Sequence, residues 1–578
     1  MTGRLILPLL LALPCASGAQ SIIGARDNLT ARVDTIFHRW DRTDSPGCAV
    51  GIYRDGRILY ARGYGMANLE LGVPITPHTM FAIASITKMF TATAVVLLAE
   101  DGKLSLANPI RRFFPEMPPY ADGITVRQLL DHTSGIDNPG RLITLAGGRL
   151  MLDPAGNNSF VPSTLDRLRM ITRAAGTNFP PGMRVAYNNQ AYELAGELIA
   201  RASGQSLAAF FTTRVFGPLG MRDTRLTMGH ALVQDRAQGY SPRGDPFGIN
   251  MPESDGHGSA GVWSNIEDFA RWDHNWTEPT VGGRALLDSL IVRSTLRDGS
   301  TISWALGIEV ERYRGLMMYS KDGDVPGFLS TYLRFPDQRL GVAVFCNLNY
   351  DIEEPAELAR KVATVYLGPQ MTPLSQPPTA WEAALLAEPV VLVPVEELRR
   401  LAGVWRDAAG RGGPIRIAGD TIVPPPPLVP LGNNRFRNGR AEWVFDFDAT
   451  PPRLRIRDRD TTRVRERAPQ PVAAPQLSIA QLAEYAGDYF NAELETIYTL
   501  ATESAHSSSR QAPDVAIAIR IGGHLFGTLR PVSRDTFVLA GPQLTGMTFV
   551  FTRDERGRPT GFRVQSAGAR SIEFARRP

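Results

Sequence analysis

The sequence predicts an α+β domain followed by two small antiparallel β-barrels. Strand-like runs stand at both ends of residues 20–371, around a helical and loop-rich middle, so one sheet should use both ends of that domain. A Pro- and Ala-rich stretch, 372–395, headed by TPLSQPPTA, then reads as a linker. Beyond it an internal repeat opens two segments of short strands and turns, 396–468 and 477–578.

Length and composition agree. At 578 residues the chain is too long for one core, and about three or four domains are expected. With 43% hydrophobic and 21% charged residues it is an ordinary folded protein, which excludes disorder as its main state. A net charge of +4 over this length is too thin for nucleic-acid binding. Three cysteines exclude a disulfide framework. Cys48 and Cys346 lie in strand-like runs, and the plain reading is two buried small hydrophobes, although an exported protein could bond them.

The run MTGRLILPLLLALPCASGA, 1–19, has one charge, a short apolar stretch and small residues before Gln20. It is expected to be a cleaved signal peptide, placing the protein in the periplasm or outside the cell. Pro14 argues against lipid attachment at Cys15. No later stretch has the roughly 18 unbroken apolar residues of a membrane span.

Along the first domain, CAVGIY and ILYARGY flank Arg54-Asp55-Gly56, a hairpin signature. FAIASITKMFTATAVVLLAEDGKL carries helical spacing at Ile86, Met89, Phe90, Val96 and Leu97, with Gly102 as its stop. A second helix is expected over Gln190–Ala202, closed by Gly204. Strands return in LMMYSKDG, GFLSTYLRF and LGVAVFCNL. In the C-terminal half, Leu398, Leu401, Ala402, Gly403 and Trp405 repeat as Leu482, Tyr485, Ala486, Gly487 and Tyr489. The glycine should permit a close turn and the aromatic should plug a barrel. Pro424–Pro427 reads as a rigid loop. Arg453, Arg455, Arg457 and Arg459 fall on one strand face, a solvated surface or a contact for an anionic envelope polymer. The polar segment 503–513 is long for a hairpin and is the candidate to reach over a neighbouring site.

The chemistry-bearing residues stand out because this chain uses arginine almost wherever it needs a cation. Lys88, Lys103, Lys321 and Lys361 are its four lysines among 62 basic residues. Lysine can be tuned to lose its proton and arginine cannot. Ser85-Ile86-Thr87-Lys88 opens a helix, and the i, i+3 spacing puts both side chains on one face. A buried lysine there can act as base to the serine, and the helix start favours developing negative charge. Tyr187-Asn188-Asn189 supplies a phenol able to shuttle protons and an amide able to hold a carbonyl and a lysine together. Lys321-Asp322-Gly323-Asp324 ends a strand with a second rare lysine, and its glycine would let a substrate backbone come close. No HExxH or CxxC framework is present, so neither a metal nor a cofactor is expected.

Three motifs in this order resemble the serine β-lactamase and penicillin-binding-protein superfamily, in the branch with class C β-lactamases, DD-peptidases, D-aminopeptidases and related esterases. LLDHTSGI at 129–136, the run 179–204, SAGVWSNIEDFARW at 259–272 and DVPGF at 324–328 carry the likeness further, over about residues 28–368. The resemblance implies a β-lactamase/transpeptidase-like catalytic domain, an antiparallel sheet flanked by helices plus a helical subdomain. The two C-terminal repeats are similar to lipocalin-like barrels. It implies Ser85 as the acylated nucleophile and Lys88 with Tyr187 as general base and acid. Asn189 would position the substrate, Lys321 would bind a carboxylate or tune Tyr187, and the N–H groups of Ser85 and Asp324 would form an oxyanion hole. His132 reads as structural. It also implies that Cys48 and Cys346 are neighbours, since the first and last strands of the family's sheet lie side by side.

Asp322 replaces a hydroxyl residue usual in that motif, and an acid there would repel a carboxylate or attract an amine. β-Lactams, D-amino-acid peptides and esters therefore stay open as substrates, with a small molecule or short peptide as the expected partner. A non-catalytic envelope-binding protein is the rival reading.

Overall fold

The structure, a computed structural model, describes residues 22–578 apart from 25–26, 138–163, 228–230, 243–246, 253–255, 350–353, 374–378, 392, 407–411, 419–420, 424–427, 439–440, 459–460, 468–476, 505–514, 522–523, 541–546 and 566–568. The leader 1–19, the proline run 424–427, Arg459 and most of the segment 503–513 lie outside the described residues.

The first domain is built on a seven-stranded antiparallel sheet. Its strands are β1 (Ile22–Gly24), β2 (Cys48–Arg54), β3 (Arg57–Tyr64), β4 (Glu309–Tyr313), β5 (Leu316–Val325), β6 (Phe328–Phe335) and β7 (Leu340–Cys346). Their order is β1-β3-β2-β7-β6-β5-β4, so the sheet does draw on both ends of the domain. The β2–β3 hairpin turns through Asp55 and Gly56, both with positive φ, as the Asp-Gly pair requires.

Both sheet faces are covered, which explains why β2 and β7 read as unbroken apolar runs. On one face Val50, Ile52, Val342 and Val344 pack against α1 (Asn28–Phe37) and a late helix, Pro355–Leu367. On the other, Ala49, Tyr53, Ala343 and Phe345 meet a larger core that includes α2 (Thr87–Glu100), α3 (Asn189–Ser203) and α4 (Ile266–Thr277). The periodicity in α2 understates its surroundings: every residue from Thr87 to Leu98 is buried, polar ones included. Thr91 and Thr93 are accommodated by donating to the carbonyls of Gly258 and Met89.

Cys346 stands directly opposite Cys48 in the β7–β2 register, with Cα atoms 4.0 Å apart, and the two are joined in a disulfide. This corrects the reading as free buried thiols. The implied adjacency held, and direct opposition on one sheet face brings the sulfurs together. A thiol reagent should find neither Cys48 nor Cys346 in protein denatured without reductant, and both after reduction. The bond closes a 298-residue separation, so the Cys48→Ala, Cys346→Ala double variant should lose stability on the order of 2–5 kcal/mol in a denaturant titration.

The C-terminal half departs from two like barrels in series. Residues up to Thr372 group with Leu477–Pro578 in one compact unit, and Pro373–Gln476 forms the other. The segment after 477 is a closed eight-stranded barrel, sealed where Tyr489 and Phe490 pair with Arg576 and Ala575. Rings of Tyr489, Tyr498, Phe549, Phe562 and Phe574 fill it, as a barrel of this size allows. The segment 396–468 is an eight-stranded antiparallel sheet whose edge strands, Thr421–Val423 and Val429–Gly432, have no ladder closing them among the described residues.

The repeat is nonetheless real in three dimensions. Gly403 and Gly487 adopt φ of 148° and 142°, and an arginine from the last strand of each copy, Arg467 or Arg576, packs where a Cβ would stand. Each arginine donates to the carbonyl of Ala402 or Ala486 and lies 5.8 Å from the ring of the buried Trp405 or Tyr489. Arg453, Arg455 and Arg457 are exposed while Leu454 and Ile456 are buried, as their alternation predicts. Arg453 pairs with Glu466 and Arg457 lies over Trp381.

Candidate active site

Ser85 lies in a short 3-10 turn, Ala84–Ile86, that runs directly into α2. Ala84 has φ of 50°, a left-handed conformation costly for a residue with a Cβ. The surrounding structure over-determines it. Ile83 N–H donates to Val262 O at 3.0 Å, and Ser330 Oγ donates to Ile83 O at 2.8 Å. A Cβ on Gly323 would stand 2.6 Å from Ile83 O and 2.9 Å from the Ala84 Cβ. The expectation that this glycine admits a substrate is thereby corrected: its missing side chain makes room for the serine turn itself.

Lys88 is one turn on and fully buried. Its Nζ lies 2.8 Å from Asn189 Oδ1, 2.7 Å from Ser259 O and 3.0 Å from Ser85 Oγ. Burial, reinforced by the charge of Lys321, holds this amine well below its usual range. A neutral amine has two N–H groups and one lone pair. With Asn189 and Ser259 taking the N–H groups, the lone pair faces the Ser85 hydroxyl.

Tyr187 approaches from the other side, its OH donating to Ser85 Oγ at 2.8 Å. The residue is 42% exposed, yet burial of its hydroxyl pushes the phenol up to about 12; the bond to Ser85 opposes this, and the charges of Glu309 and Asp322 add to it. The neutral phenol is therefore the resting form, although Lys88 and Lys321 sit 5.0 and 5.1 Å from the ring centroid. The Tyr187 hydroxyl thus keeps its proton and offers it to Ser85 Oγ in a hydrogen bond.

α3 starts where it does because Asn188 caps it, accepting from the N–H groups of Gln190 and Ala191. That cap aims Asn189, the first helical residue, at Lys88. Gly204, with φ of 72°, ends the helix.

Lys321 is buried, 5.1 Å from the Tyr187 ring and 5.2 Å from that of Trp304, and donates to Asp322 O. Burial brings it down to about 8, against the charges of Asp322 and Glu309. Strand alternation puts the Asp322 side chain on the face opposite Lys321 and Gly323, where Thr331 Oγ1 donates to it at 2.5 Å. It thus acts on the cleft by its field, not by direct contact. β4 pairs with β5 only as far as Ser320, so Lys321–Val325 presents an edge with no ladder on that side among the described residues. Asp324 lies on this edge, one residue beyond Gly323 and so beside the serine turn. Burial raises its carboxyl.

His132, read from the sequence as structural, is buried behind Tyr187. It has φ of 62°, its Nδ1 accepts from Asn188 N–H, and its ring centroid lies 4.5 Å from those of both Tyr187 and Trp304. Burial keeps it below its usual range, hence neutral. Sequence reasoning missed Trp304, Glu309 and the carbonyl of Ser259. Asn188 was findable as a helix cap. The loop 256–261, with Gly256, Gly258 and Gly261 at positive φ, hints at an unusual backbone but not at which carbonyl is used. Among the described residues no cluster of three His, Cys, Asp or Glu could hold a metal ion.

Known proteins resemble this chain over its first domain and, in some cases, over most of its length. The beta-lactamase family model matches residues 33–367. A D-aminopeptidase from Cereibacter sphaeroides is 26% identical over 558 residues, 92% of this chain and 96% of that protein. Protein flp of Staphylococcus aureus is 28% identical over 330 residues, 55% of this chain and 63% of its own length. Among solved structures, the octameric penicillin-binding protein homologue from Pyrococcus abyssi aligns with 95% of this chain and 100% of its own, with a TM-score of 0.52 and 18% identity. D-amino acid amidase from Ochrobactrum anthropi SV3 covers 60% of this chain and 100% of its own, with a TM-score of 0.50 and 23% identity. Both structures share the fold.

Proposed function

Because the chain belongs to the beta-lactamase family of serine hydrolases, we propose that it cleaves D-amino-acid amides and short peptides through an acyl-enzyme at Ser85. One observation carries this: Ser85 Oγ is held between a buried, deprotonation-prone Lys88 and the hydroxyl donor of Tyr187. As Oγ attacks the substrate carbonyl, its proton passes to the Lys88 lone pair. The carbonyl oxygen gathers charge between the N–H groups of Ser85 and Asp324. The C–N bond then breaks and Tyr187 protonates the departing amine. In the second half a water gives its proton to Tyr187 and attacks the ester, and Lys88 returns its proton to Ser85. Asn189 keeps Lys88 in register throughout.

The D-amino-acid preference rests on the Cereibacter sphaeroides relative, whose alignment extends through the C-terminal half of this chain. The Cys48–Cys346 disulfide supports an oxidising compartment and so export. A second reading has its own support: the Lys321 ammonium at the cleft suits a substrate carboxylate, as in β-lactams. A panel decides. D-alanine p-nitroanilide should be hydrolysed with kcat/KM at least about tenfold above its L-isomer, its N-acetyl derivative and a chromogenic cephalosporin. A preference for the cephalosporin would transfer the proposal to β-lactams, and failure to turn over any member would leave a binding protein.

A further inference from the structure

The closed C-terminal barrel fastens one side of the candidate active site. Between its last two strands, Pro559–Gln565 and Ile572–Arg576, the chain passes through Arg570. This guanidinium forks onto Glu493, with Nη1 to Oε2 at 3.0 Å, and its Nε stands 3.4 Å from Oδ2 of Asp137 in the first domain. Its backbone N–H donates to Asn178 Oδ1 at 2.9 Å, across 392 residues of sequence. Asn178 Nδ2 donates to Asp137 Oδ1 at 3.2 Å, and Asn178 N–H donates to Gly135 O at 2.7 Å. The Asp137 side chain is 1% exposed and that of Arg570 15%, so the contact is sheltered from solvent.

Asp137 lies in the segment 131–137, and that segment is the rail from which the Tyr187 region hangs. Thr133 O accepts from Gly182 N–H at 2.8 Å and His132 O from Ala186 N–H at 2.9 Å. His132 Nδ1 accepts from Asn188 N–H at 3.2 Å, and Ile136 O accepts from Asn188 Nδ2 at 2.6 Å. Tyr187 lies between two residues held in this way. Asn188 in turn caps the helix whose first residue, Asn189, meets Lys88.

We infer that Arg570 is a positioning residue: through Asp137 and Asn178 the barrel holds the rail that sets the Tyr187 and Asn189 geometry at Ser85. Without Arg570 the sheltered Asp137 carboxylate loses the guanidinium that stands 3.4 Å from it, which favours water entry or movement there. Either response loosens residues 135–137, which include the Ile136 carbonyl that anchors Asn188. Displacements of about 1 Å at reacting groups cost on the order of 100-fold in rate.

The inference rests on the reading of Ser85 as nucleophile, so the test pairs a kinetic arm with one that needs no substrate. In Arg570→Ala, labelling of Ser85 by a fluorophosphonate should slow about 10–100-fold. kcat on D-alanine p-nitroanilide should fall by a like factor with KM within about threefold. Amide exchange should speed up in 131–137 and 182–191. Asp137→Asn, which keeps the Asn178 contact, should give a smaller loss, and the double variant should be no worse than Arg570→Ala alone. If Arg570→Ala does not fold, Arg570→Lys serves, because it keeps the charge but loses the fork and should still slow labelling. Unchanged labelling with unchanged exchange in both segments overturns the inference. So does faster exchange confined to 487–576. Wild-type protein that takes the fluorophosphonate at Ser85 but ignores D-alanine p-nitroanilide would sink the substrate assignment and leave this test standing. Protein that is not labelled at all would sink the nucleophile, and the exchange arm alone would then decide the rail.

Discussion

Lys88→Met is expected to stop acylation as completely as Ser85→Ala, a loss of about 10⁴-fold or more in kcat. In the proposed mechanism the two side chains work as one unit, so each is useless without the other. Methionine is close to lysine in length and apolar, so the core around α2, buried on every side, should survive, although Asn189 Oδ1 and Ser259 O lose their donor. The pH dependence is the sharper check. As the proposed base, Lys88 can act only when neutral, so acylation should rise with pH through its depressed pKa. Lys321 is one cause of that depression. In Lys321→Gln the pKa of Lys88 climbs back toward its ordinary value and the acid limb of the labelling rate moves to higher pH. An acid limb that stays put in Lys321→Gln, or a Lys88→Met enzyme within tenfold of wild type, would falsify the assignment of Lys88 as base.

What was legible in the sequence was whatever leaves a side-chain or periodicity signal. Ser85, Lys88, Tyr187, Asn189 and Lys321 were found because rare lysines and spaced motifs point to chemistry, and the structure brings all five together. The sheet was legible because its strands are long and apolar. Gly323 was found but its purpose misread, because sequence shows that a glycine allows close approach without showing what approaches. Asp322 looked like a substrate contact until the β5–β6 register put it on the other face. Ser259 contributes a carbonyl, which no side-chain pattern can announce. The disulfide stayed open for a similar reason. Two cysteines in apolar strands look the same bonded or free until the register sets them opposite each other. The first C-terminal segment repeats the barrel's opening motif faithfully, yet among the described residues no ladder joins its edge strands, and the repeat does not encode how those edges meet.

Tyr187→Phe should cost about 10²–10⁴-fold on D-alanine p-nitroanilide and far less on a p-nitrophenyl ester of the same acid. The reason is the leaving group. An aniline nitrogen must gain a proton as its bond to carbon breaks, whereas p-nitrophenolate leaves without one. Tyr187 is placed to give that proton, since its OH already donates to Ser85 Oγ at 2.8 Å, next to where the leaving nitrogen must stand. Held up to about 12, it keeps its proton across the working range. Titration of Tyr187 therefore cannot produce a basic limb near pH 8. Lys321, at about 8, can: it is charged below that pH and neutral above it. The Tyr187→Phe enzyme should accordingly keep any limb near pH 8 on the ester, and Lys321→Gln should lose it. The phenylalanine ring preserves the contacts with His132 and Trp304, so the melting temperature should move little. An equal loss on ester and anilide would show that Tyr187 packs the site without supplying the proton.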